Sequence, residues 1–198
     1  MNASGVINAM TVDVEDYFQV SAFESRVDKA QWQKWPLRVE DNTHRILDLF
    51  AAHDVRGTFF TLGWVAERFP ALVKRIVSEG HEIASHGWEH IRVNTQTPEA
   101  FRDDIERTRK LLQDISGEPV LGYRAASYSI GASESWAWEQ LARDYWQPLY
   151  IFLRSRGSDH HAAADEVQGF FEHLMKRDFM RRIERRDGLF RSFLLSGA

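Results

Sequence analysis

Short apolar runs alternate with amphipathic segments along the first 145 residues, and this alternation constrains the fold more than any other feature. Strands are predicted at 6–14, 55–62, 81–84 and 119–124. Helices are predicted at 40–53, 64–79, 98–115 and 132–144. Strands that alternate with helices in this way indicate an α/β fold with a parallel sheet, either open or rolled into a barrel.

The helix predicted at 98–115 has the clearest boundaries in the chain. Thr97 is placed to cap it, Pro98 occupies its first turn, and Gly117 follows its end. Its charged residues, Asp104 among them, are assigned to a solvated face. By contrast, residues 17–38 have no clean period and are predicted to form a long loop, of the kind that often carries function.

Composition excludes several classes of site. The chain contains no cysteine, so disulfides and cysteine-based metal sites or nucleophiles are excluded. The first residues lack a basic segment followed by a long apolar stretch, and no run of about 18 apolar residues occurs. We therefore expect a cytoplasmic protein with no integral membrane segment.

The balance of charge changes near residue 145. Residues 1–145 hold 16 Lys and Arg against 22 Asp and Glu, whereas residues 146–198 hold nine against seven. The change predicts a domain at 1–145 and an Arg-rich segment at 146–198, with an exposed amphipathic helix at about 165–187. The candidate apolar positions of this helix are Val167, Phe170, Phe171, Leu174 and Phe179. Because acids are interleaved with the arginines, no nucleic-acid partner is expected.

Chemically versatile side chains follow the ends of three predicted strands. They are Asp13, Glu15 and Asp16 after the first strand, His86 and His90 after the third, and Arg124 after the fourth. Because the carboxyl ends of parallel strands gather at one edge of a sheet, these side chains are expected to converge.

Two of these groups fit a metal site. His86 and His90 are four residues apart, a spacing that lets two imidazoles bind one divalent cation. Without cysteine, a third ligand must be a carboxylate, and one acid on a metal with another free as a base suits hydrolysis by water. Two ordinary polar histidines and a solvated strand end would give the same pattern, so that interpretation stays open.

Three segments resemble the first three motifs of the polysaccharide deacetylases of carbohydrate esterase family 4. They are Thr11-Val-Asp-Val-Glu-Asp16, Ser85-His86-Gly-Trp-Glu-His90 and Gly122-Tyr-Arg124-Ala-Ala-Ser-Tyr128. The resemblance spans about residues 8–145, and the run TVDVEDYF is similar to the branch associated with exosortase and exopolysaccharide gene clusters. It implies a (β/α) barrel of the polysaccharide-deacetylase type, incomplete here and followed by a helical tail that does not match.

The resemblance also implies roles for individual residues. Asp13 would be the general base, Arg124 would orient it through an ion pair, and a backbone N–H near Tyr128 would help to bind the substrate oxyanion. The divalent metal, zinc in most members, would be held by His86, His90 and one of Glu15 or Asp16, with the choice between the two acids left open. The implied reaction is hydrolysis of the acetamide of an N-acetylated polysaccharide or oligosaccharide in exopolysaccharide biosynthesis, with release of acetate.

The sequence departs from the family pattern in two places. Ala126 stands where the family usually has proline. After residue 145 the later motifs are not found, including the one whose histidine protonates the leaving amine. His160, His161 and His173 are expected at the surface, and a frameshift or truncation would account for such a tail.

These departures predict a weak deacetylase or none, so other functions remain open. One alternative is a non-catalytic remnant of the same fold that binds carbohydrate or a partner. Another is a module whose Arg-rich tail binds a partner protein or nucleic acid. The sequence does not indicate the oligomeric state.

Overall fold

The computed structural model describes residues 9–131 and 134–175. Its strands are β1 (Met10–Val14), β2 (Gly57–Thr61) and β3 (Glu82–Ser85). Its helices are α1 (Val39–Ala52), α2 (Gly63–Arg68), α3 (Pro70–Ser78), α4 (Pro98–Ser116), α5 (Ser135–Ser155) and α6 (His160–Met175). Short 3-10 helices lie at Ser21–Phe23, Lys29–Lys34, Val93–Thr95 and Ala126–Tyr128. The predicted α/β fold is confirmed.

The three strands form one parallel sheet in the order β1-β2-β3. Val14 at the end of β1 is level with Thr61 of β2, and Thr61 is level with Ser85 of β3. The three strands therefore end together, and the residues that follow them start from one edge of the sheet. This alignment is what brings distant segments of the chain into one site.

The fourth predicted strand, at 119–124, is reduced to a single bridge between Ser85 and Tyr123. The start of the segment cannot extend the sheet, because Pro119 has no N–H and the Val120 N–H donates to the Gln113 side chain on α4. Only its far end pairs with β3, through Ser85 N–H to the Gly122 carbonyl at 2.8 Å. That contact is enough to fix the residue that follows, Arg124, beside the sheet.

The boundary signals of α4 are confirmed. The Thr97 hydroxyl accepts a hydrogen bond from the Ala100 N–H at 3.2 Å, and Pro98 is the first helical residue. Gly117 ends the helix in the left-handed conformation, at a φ of 74°, which glycine adopts without a steric penalty.

Two hydrophobic clusters hold the described part of the chain together. The first joins the sheet to α1, α2 and α3, with Leu47, Phe59 and Ile76 fully buried at its centre. The second lies where α4, α5 and α6 meet and includes Phe101 and Leu141. Since α4 contributes to both clusters, the α5–α6 pair is anchored to the same helix that supports the sheet.

The prediction of an exposed helix at 165–187 is wrong in its start and in its exposure. Helix α6 begins at His160 and packs against α5, with Ala163, Val167 and Phe171 buried and Phe170 partly buried. The apolar side of α6 packs on α5. The sequence predicted only a short helix at 132–144 in place of α5, so it did not provide the surface on which α6 packs. The Leu174 side chain and Phe179 lie outside the described residues.

Helix α5 continues without a break across residue 145, from Ser135 to Ser155. The division of the chain into 1–145 and 146–198 remains a prediction from charge and resemblance. Among residues 9–131 and 134–175, no helix combines the length and the apolar character that crossing a membrane requires.

Candidate active site

A cavity of about 250 Å³ lies at the edge of the sheet where β1 and β3 end. Six of the seven predicted site residues line it: Asp13, Glu15, His86, His90, Arg124 and Tyr128. The predicted loop at 17–38 forms part of its wall through Val20, Ser21 and Ala22. The structure therefore places residues from the ends of β1 and β3, from the segment that follows the Tyr123 bridge and from this loop around one space.

Glu15, His86 and His90 form a cluster suited to a metal ion. Each offers one ligand atom, and these atoms all lie within 4.8 Å of one another. The His90 Nε2 is 3.4 Å from the Glu15 Oε2. The same Glu15 oxygen and the His90 Nδ1 are buried with no hydrogen-bond partner in the described part of the chain. Buried polar atoms normally have partners, so this unused capacity fits a cation.

The tautomer of His86 follows from its neighbour. Its Nδ1 lies 2.8 Å from the Arg124 backbone carbonyl, which can only accept a hydrogen bond. The Nδ1 must therefore carry the proton, and the Nε2 keeps its lone pair. Orientation of a metal-binding imidazole by a backbone carbonyl is the usual arrangement around metal sites.

Burial shifts the pKa of all three groups toward their uncharged forms. It lowers the pKa of His86, and it lowers the pKa of His90 to about 4, with the nearby His86 adding to the effect. Burial, assisted by the charge of Asp13, raises the pKa of Glu15 to about 7. At neutral pH both imidazoles are in the unprotonated form that metals bind, and the Glu15 carboxyl is about half ionised.

Asp16 is placed differently from Glu15. Its side chain is buried, and its Oδ2 accepts hydrogen bonds from the backbone N–H groups of Arg38 at 2.8 Å and Val39 at 3.2 Å. It thereby caps the first turn of α1, where backbone N–H groups have no partner within the helix. The structure brings Glu15, and not Asp16, to the two histidines.

Asp13 forms an ion pair with Arg124. The guanidinium also donates to the Thr11 hydroxyl at 3.0 Å and lies over the Phe60 ring, 3.9 Å from its centroid. The Arg124 side chain is therefore fixed by three neighbours, and it holds the Asp13 carboxylate against the cavity. A carboxylate held at one orientation is suited to accept a proton from a water molecule.

Tyr128 lies in a turn with an uncommon backbone. Ser127 and Tyr128 have φ values of 52° and 53°, a left-handed region that side chains disfavour and that often marks functional loops. The Tyr128 N–H donates to the Ala125 carbonyl at 3.1 Å, and its side chain is 59% exposed at the cavity mouth. In this conformation the N–H already has an acceptor, so its predicted contact with a substrate oxyanion stays a prediction.

Sequence reasoning missed the support of the turn at 86–90. The Trp88 N–H donates to the Asp104 carboxylate on α4 at 2.9 Å. The first N–H groups of α2 donate to the same turn, from Gly63 to the Gly87 carbonyl at 2.9 Å and from Trp64 to the Trp88 carbonyl at 3.0 Å. The turn that carries both histidines is thus held from two helices.

The assignment of Asp104 to a solvated face is wrong. Burial raises its pKa to about 6, and its carboxylate lies against Gly87, where an added Cβ would come within 2.7 Å. A signal was present in the sequence: Asp104 follows the buried Phe101 by three positions and precedes the buried Thr108 by four. That spacing puts it on the inner face of the helix.

Two buried imidazoles lie beside an ion-paired carboxylate at the carboxyl edge of a parallel sheet, which is the arrangement that the resemblance to carbohydrate esterases predicts. A family model described as polysaccharide deacetylase matches residues 28–145, and the chain belongs to this family.

Curated relatives carry deacetylase names. A peptidoglycan-N-acetylglucosamine deacetylase of Bacillus cereus is 32% identical over 117 residues, which cover 54% of this chain and 55% of the relative. The peptidoglycan-N-acetylmuramic acid deacetylase PdaA of Bacillus subtilis is 33% identical over 76 residues, 38% of this chain and 29% of the relative. The chain thus spans about half of the first of these relatives and less than a third of the second.

Solved structures agree on the fold. A peptidoglycan N-acetylglucosamine deacetylase bound to a hydroxamate-type benzamide superposes with a TM-score of 0.55 at 26% identity, over 72% of this chain and 55% of that one. A pseudoenzyme of carbohydrate esterase family 4 from Bacillus anthracis gives a TM-score of 0.54 at 20% identity, over 72% of this chain and 41% of that one.

Proposed function

We propose that this chain is a metal-dependent N-deacetylase acting on an N-acetylated polysaccharide or oligosaccharide. The observation that carries the proposal is the cluster of Glu15, His86 and His90, whose possible ligand atoms lie within 4.8 Å of one another beside the ion-paired Asp13. The names of the relatives support the reaction class. The similarity of TVDVEDYF to one branch of the family supports a role in exopolysaccharide biosynthesis.

Glu15, His86 and His90 would hold the cation. Two imidazoles and one carboxylate are a ligand set that zinc favours, and three protein ligands leave a position open for substrate or water. When bound, such a cation supplies Lewis-acid chemistry, polarising the acetamide carbonyl and lowering the pKa of water.

Asp13 would act as the general base. Its carboxylate accepts a proton from the attacking water while the water oxygen bonds to the acetamide carbon. The carbon–nitrogen bond then breaks, the nitrogen takes up a proton from bulk water, Asp13 returns its proton to solvent, and acetate and a free amine result. Arg124 keeps the Asp13 carboxylate in one orientation, so the carboxylate does not have to lose rotational freedom during the reaction.

Protonation of the leaving nitrogen is the weak point of this site. Among residues 9–131 and 134–175, the cavity lining contains no histidine besides His86 and His90. His160, His161 and His173 are exposed on α6, as expected from the sequence. We therefore propose a slow deacetylase, since a positioned acid typically contributes about 10²–10⁴-fold.

The test is release of acetate from N-acetylglucosamine oligomers by the purified chain with added Zn²⁺. Replacing the base, Asp13→Asn, is expected to lower the rate by about 10²–10⁴-fold. Asp114→Asn, on the exposed side of α4, is the matched control and should leave the rate unchanged. Zinc-loaded wild type that releases no acetate would overturn the proposal in favour of a non-catalytic carbohydrate-binding protein, and an unaffected Asp13→Asn variant would overturn the role of Asp13.

A further inference from the structure

Residues 20–26 of the long loop, called the strap below, lie between two cavities. The first three residues of the strap line the active-site cavity, and Ser21 with residues 24–26 lines a second cavity of about 500 Å³. His90 lines both cavities, so the two spaces approach each other at this histidine. The strap therefore crosses a groove that would otherwise continue from one cavity into the other.

The strap is held firmly at its two ends and loosely between them. Gln19 before it and Val27 after it are buried, with only 4% and 8% of their surface exposed. None of residues 20–26 is buried, and none belongs to either hydrophobic cluster of the described chain. Segments with few buried apolar contacts open at a low cost in free energy, so the strap can move between its fixed ends.

Backbone hydrogen bonds brace the strap internally. The Phe23 N–H donates to the Val20 carbonyl at 3.0 Å, and the Arg26 N–H donates to the Phe23 carbonyl at 2.8 Å. In the part of the chain that the structure describes, no backbone–backbone hydrogen bond joins the strap to a residue outside 20–27. The strap can therefore move as one unit without breaking the bonds that give it its shape.

Two side-chain contacts fasten the strap to the other wall of the site. The Ser21 and Ser127 hydroxyl oxygens are 2.6 Å apart, and the Arg92 guanidinium donates to the Glu24 carboxylate at 2.6 Å. Both contacts are exposed to solvent. Hydrogen bonds and ion pairs add little net stability in such surroundings, so these two contacts act as weak latches.

We propose that the strap swings away from Ser127 and Arg92 to admit a glycan, and that its two latches determine how long a glycan the site accepts; the glycan itself rests on the proposed deacetylase function. The active-site cavity alone, about 250 Å³, is smaller than most small-ligand pockets, about 300–1,000 Å³, and suits one sugar unit. A chain of several units needs the groove on both sides of the strap. The latched strap therefore favours short ligands, and its opening admits longer ones.

The experiment holds the strap closed with one engineered disulfide, which is possible because the chain has no cysteine. The sulfur atoms of a disulfide lie about 2.0 Å apart, and the 2.6 Å between the two hydroxyl oxygens places cysteines at these positions within reach. The double variant Ser21→Cys, Ser127→Cys is studied oxidised and reduced, after removal of the reductant. Because both forms carry the same substitutions, the comparison isolates the position of the strap.

Calorimetry on the full 198-residue chain with Zn²⁺ measures binding of chitotetraose and of N-acetylglucosamine. We expect chitotetraose to bind the oxidised form at least about tenfold more weakly than the reduced form, because the disulfide removes the open population. N-acetylglucosamine and Zn²⁺ should bind both forms equally, since they need only the active-site cavity. Hydrogen exchange of the amides of residues 20–26 should be at least about tenfold slower in the oxidised form.

Equal binding of chitotetraose to the two forms would overturn the proposal, and so would amide exchange that the disulfide does not slow. Ser127→Cys alone cannot form the intramolecular bond, so as the matched control it should show no difference between oxidised and reduced samples. If the disulfide weakens Zn²⁺ binding, Glu24→Gln tests the second latch instead. It should speed amide exchange in the strap by about twofold or more, and unchanged exchange would overturn the proposal.

Failure of the strap and failure of the reaction give different results. A chain that binds chitotetraose in the reduced form but releases no acetate keeps the strap and loses the deacetylase. Acetate release together with equal binding to the two forms keeps the reaction and removes only the strap. Chitotetraose that binds neither form would overturn both proposals.

Discussion

The Asp104 carboxylate on α4 accepts a hydrogen bond from the Trp88 backbone N–H, 2.9 Å away, at the middle of the turn that carries His86 and His90. Gly87 in this turn has a φ of 77°, and His90 has a φ of 56°, a left-handed conformation that is uncommon for residues other than glycine and that the contacts of the turn help to hold. Asp104 is one of the groups that hold the turn, and in the contacts described above it touches neither His86 nor His90, the two histidines proposed to bind metal.

Removing the acceptor should loosen the turn. Asp104→Ala leaves the Trp88 N–H unpaired, and we expect a loss of about 1–3 kcal/mol in the free energy of unfolding and a fall of about 10–100-fold in Zn²⁺ affinity. Asp104→Asn keeps an acceptor oxygen and should restore most of both. Asp103→Ala, exposed on the same helix, controls for a change of charge on α4. A Zn²⁺ affinity that does not change in Asp104→Ala would show that the turn is held without this contact.

The number of protons released on metal binding should depend on pH, because the Glu15 carboxyl has to lose its proton to bind the metal. Because its pKa is about 7 and that of His90 is about 4, Glu15 is the ligand that is protonated at pH 6. We expect Zn²⁺ to displace about one proton per chain at pH 6 and almost none at pH 8, with affinity falling about tenfold per pH unit below 7. Calorimetry in buffers of different ionisation enthalpy measures the number of protons released per Zn²⁺ bound. Two or more protons at pH 6 would mean that the histidines titrate there.

Glu15 should also destabilise the metal-free protein at high pH. The pKa of Glu15 in the folded protein, about 7, lies above its ordinary value of 4.5. Ionisation of Glu15 therefore does not lower the free energy of unfolding below pH 4.5, and it lowers that free energy by its full amount above pH 7. Metal-free Glu15→Gln should therefore be more stable than wild type by about 1–3 kcal/mol at pH 8 and nearly equal at pH 4. Urea unfolding at the two pH values gives the comparison. With saturating Zn²⁺ the order should reverse, because only wild type keeps all three ligands.

Gly63 is the position where a single methyl group should damage the site. A Cβ there would lie 2.4 Å from the Trp88 ring, so either the ring or the turn that carries it has to move. We expect Gly63→Ala to cost about 1–3 kcal/mol of stability and to weaken Zn²⁺ binding.

Gly169→Ala is the control for this substitution. It lies in α6 with nothing within 4 Å of an added Cβ, and it should stabilise the helix by about 0.5–1 kcal/mol. A Gly63→Ala variant with wild-type stability and Zn²⁺ affinity would mean that the Trp88 ring has another position available.

The elements that frame the site were predictable because their signals are local. Thr97 and Gly117 mark the ends of α4 through backbone chemistry that needs no tertiary contact. The approach of His86 to Glu15 was predictable for a different reason, since parallel strands of similar length must end at one edge.

The choice between Glu15 and Asp16 could not be made from the sequence. It depends on where α1 starts in space, because the Arg38 and Val39 N–H groups, 22 and 23 residues later, take the Asp16 carboxylate. The packing of α6 on α5 was missed for the same kind of reason. An apolar stripe shows that a helix needs a partner but does not say which surface provides it.

The contact between Gly63 and Trp88 bears on how inactive members of such a family are recognised. We expect a chain that retains Asp13, His86 and His90 to lose the geometry of the site when a side chain is added at position 63. Scoring only the residues that touch metal or substrate would count that chain as active. A sequence signature for active members therefore has to include glycine at position 63. This residue contacts neither metal nor substrate, and it matters because it has no side chain.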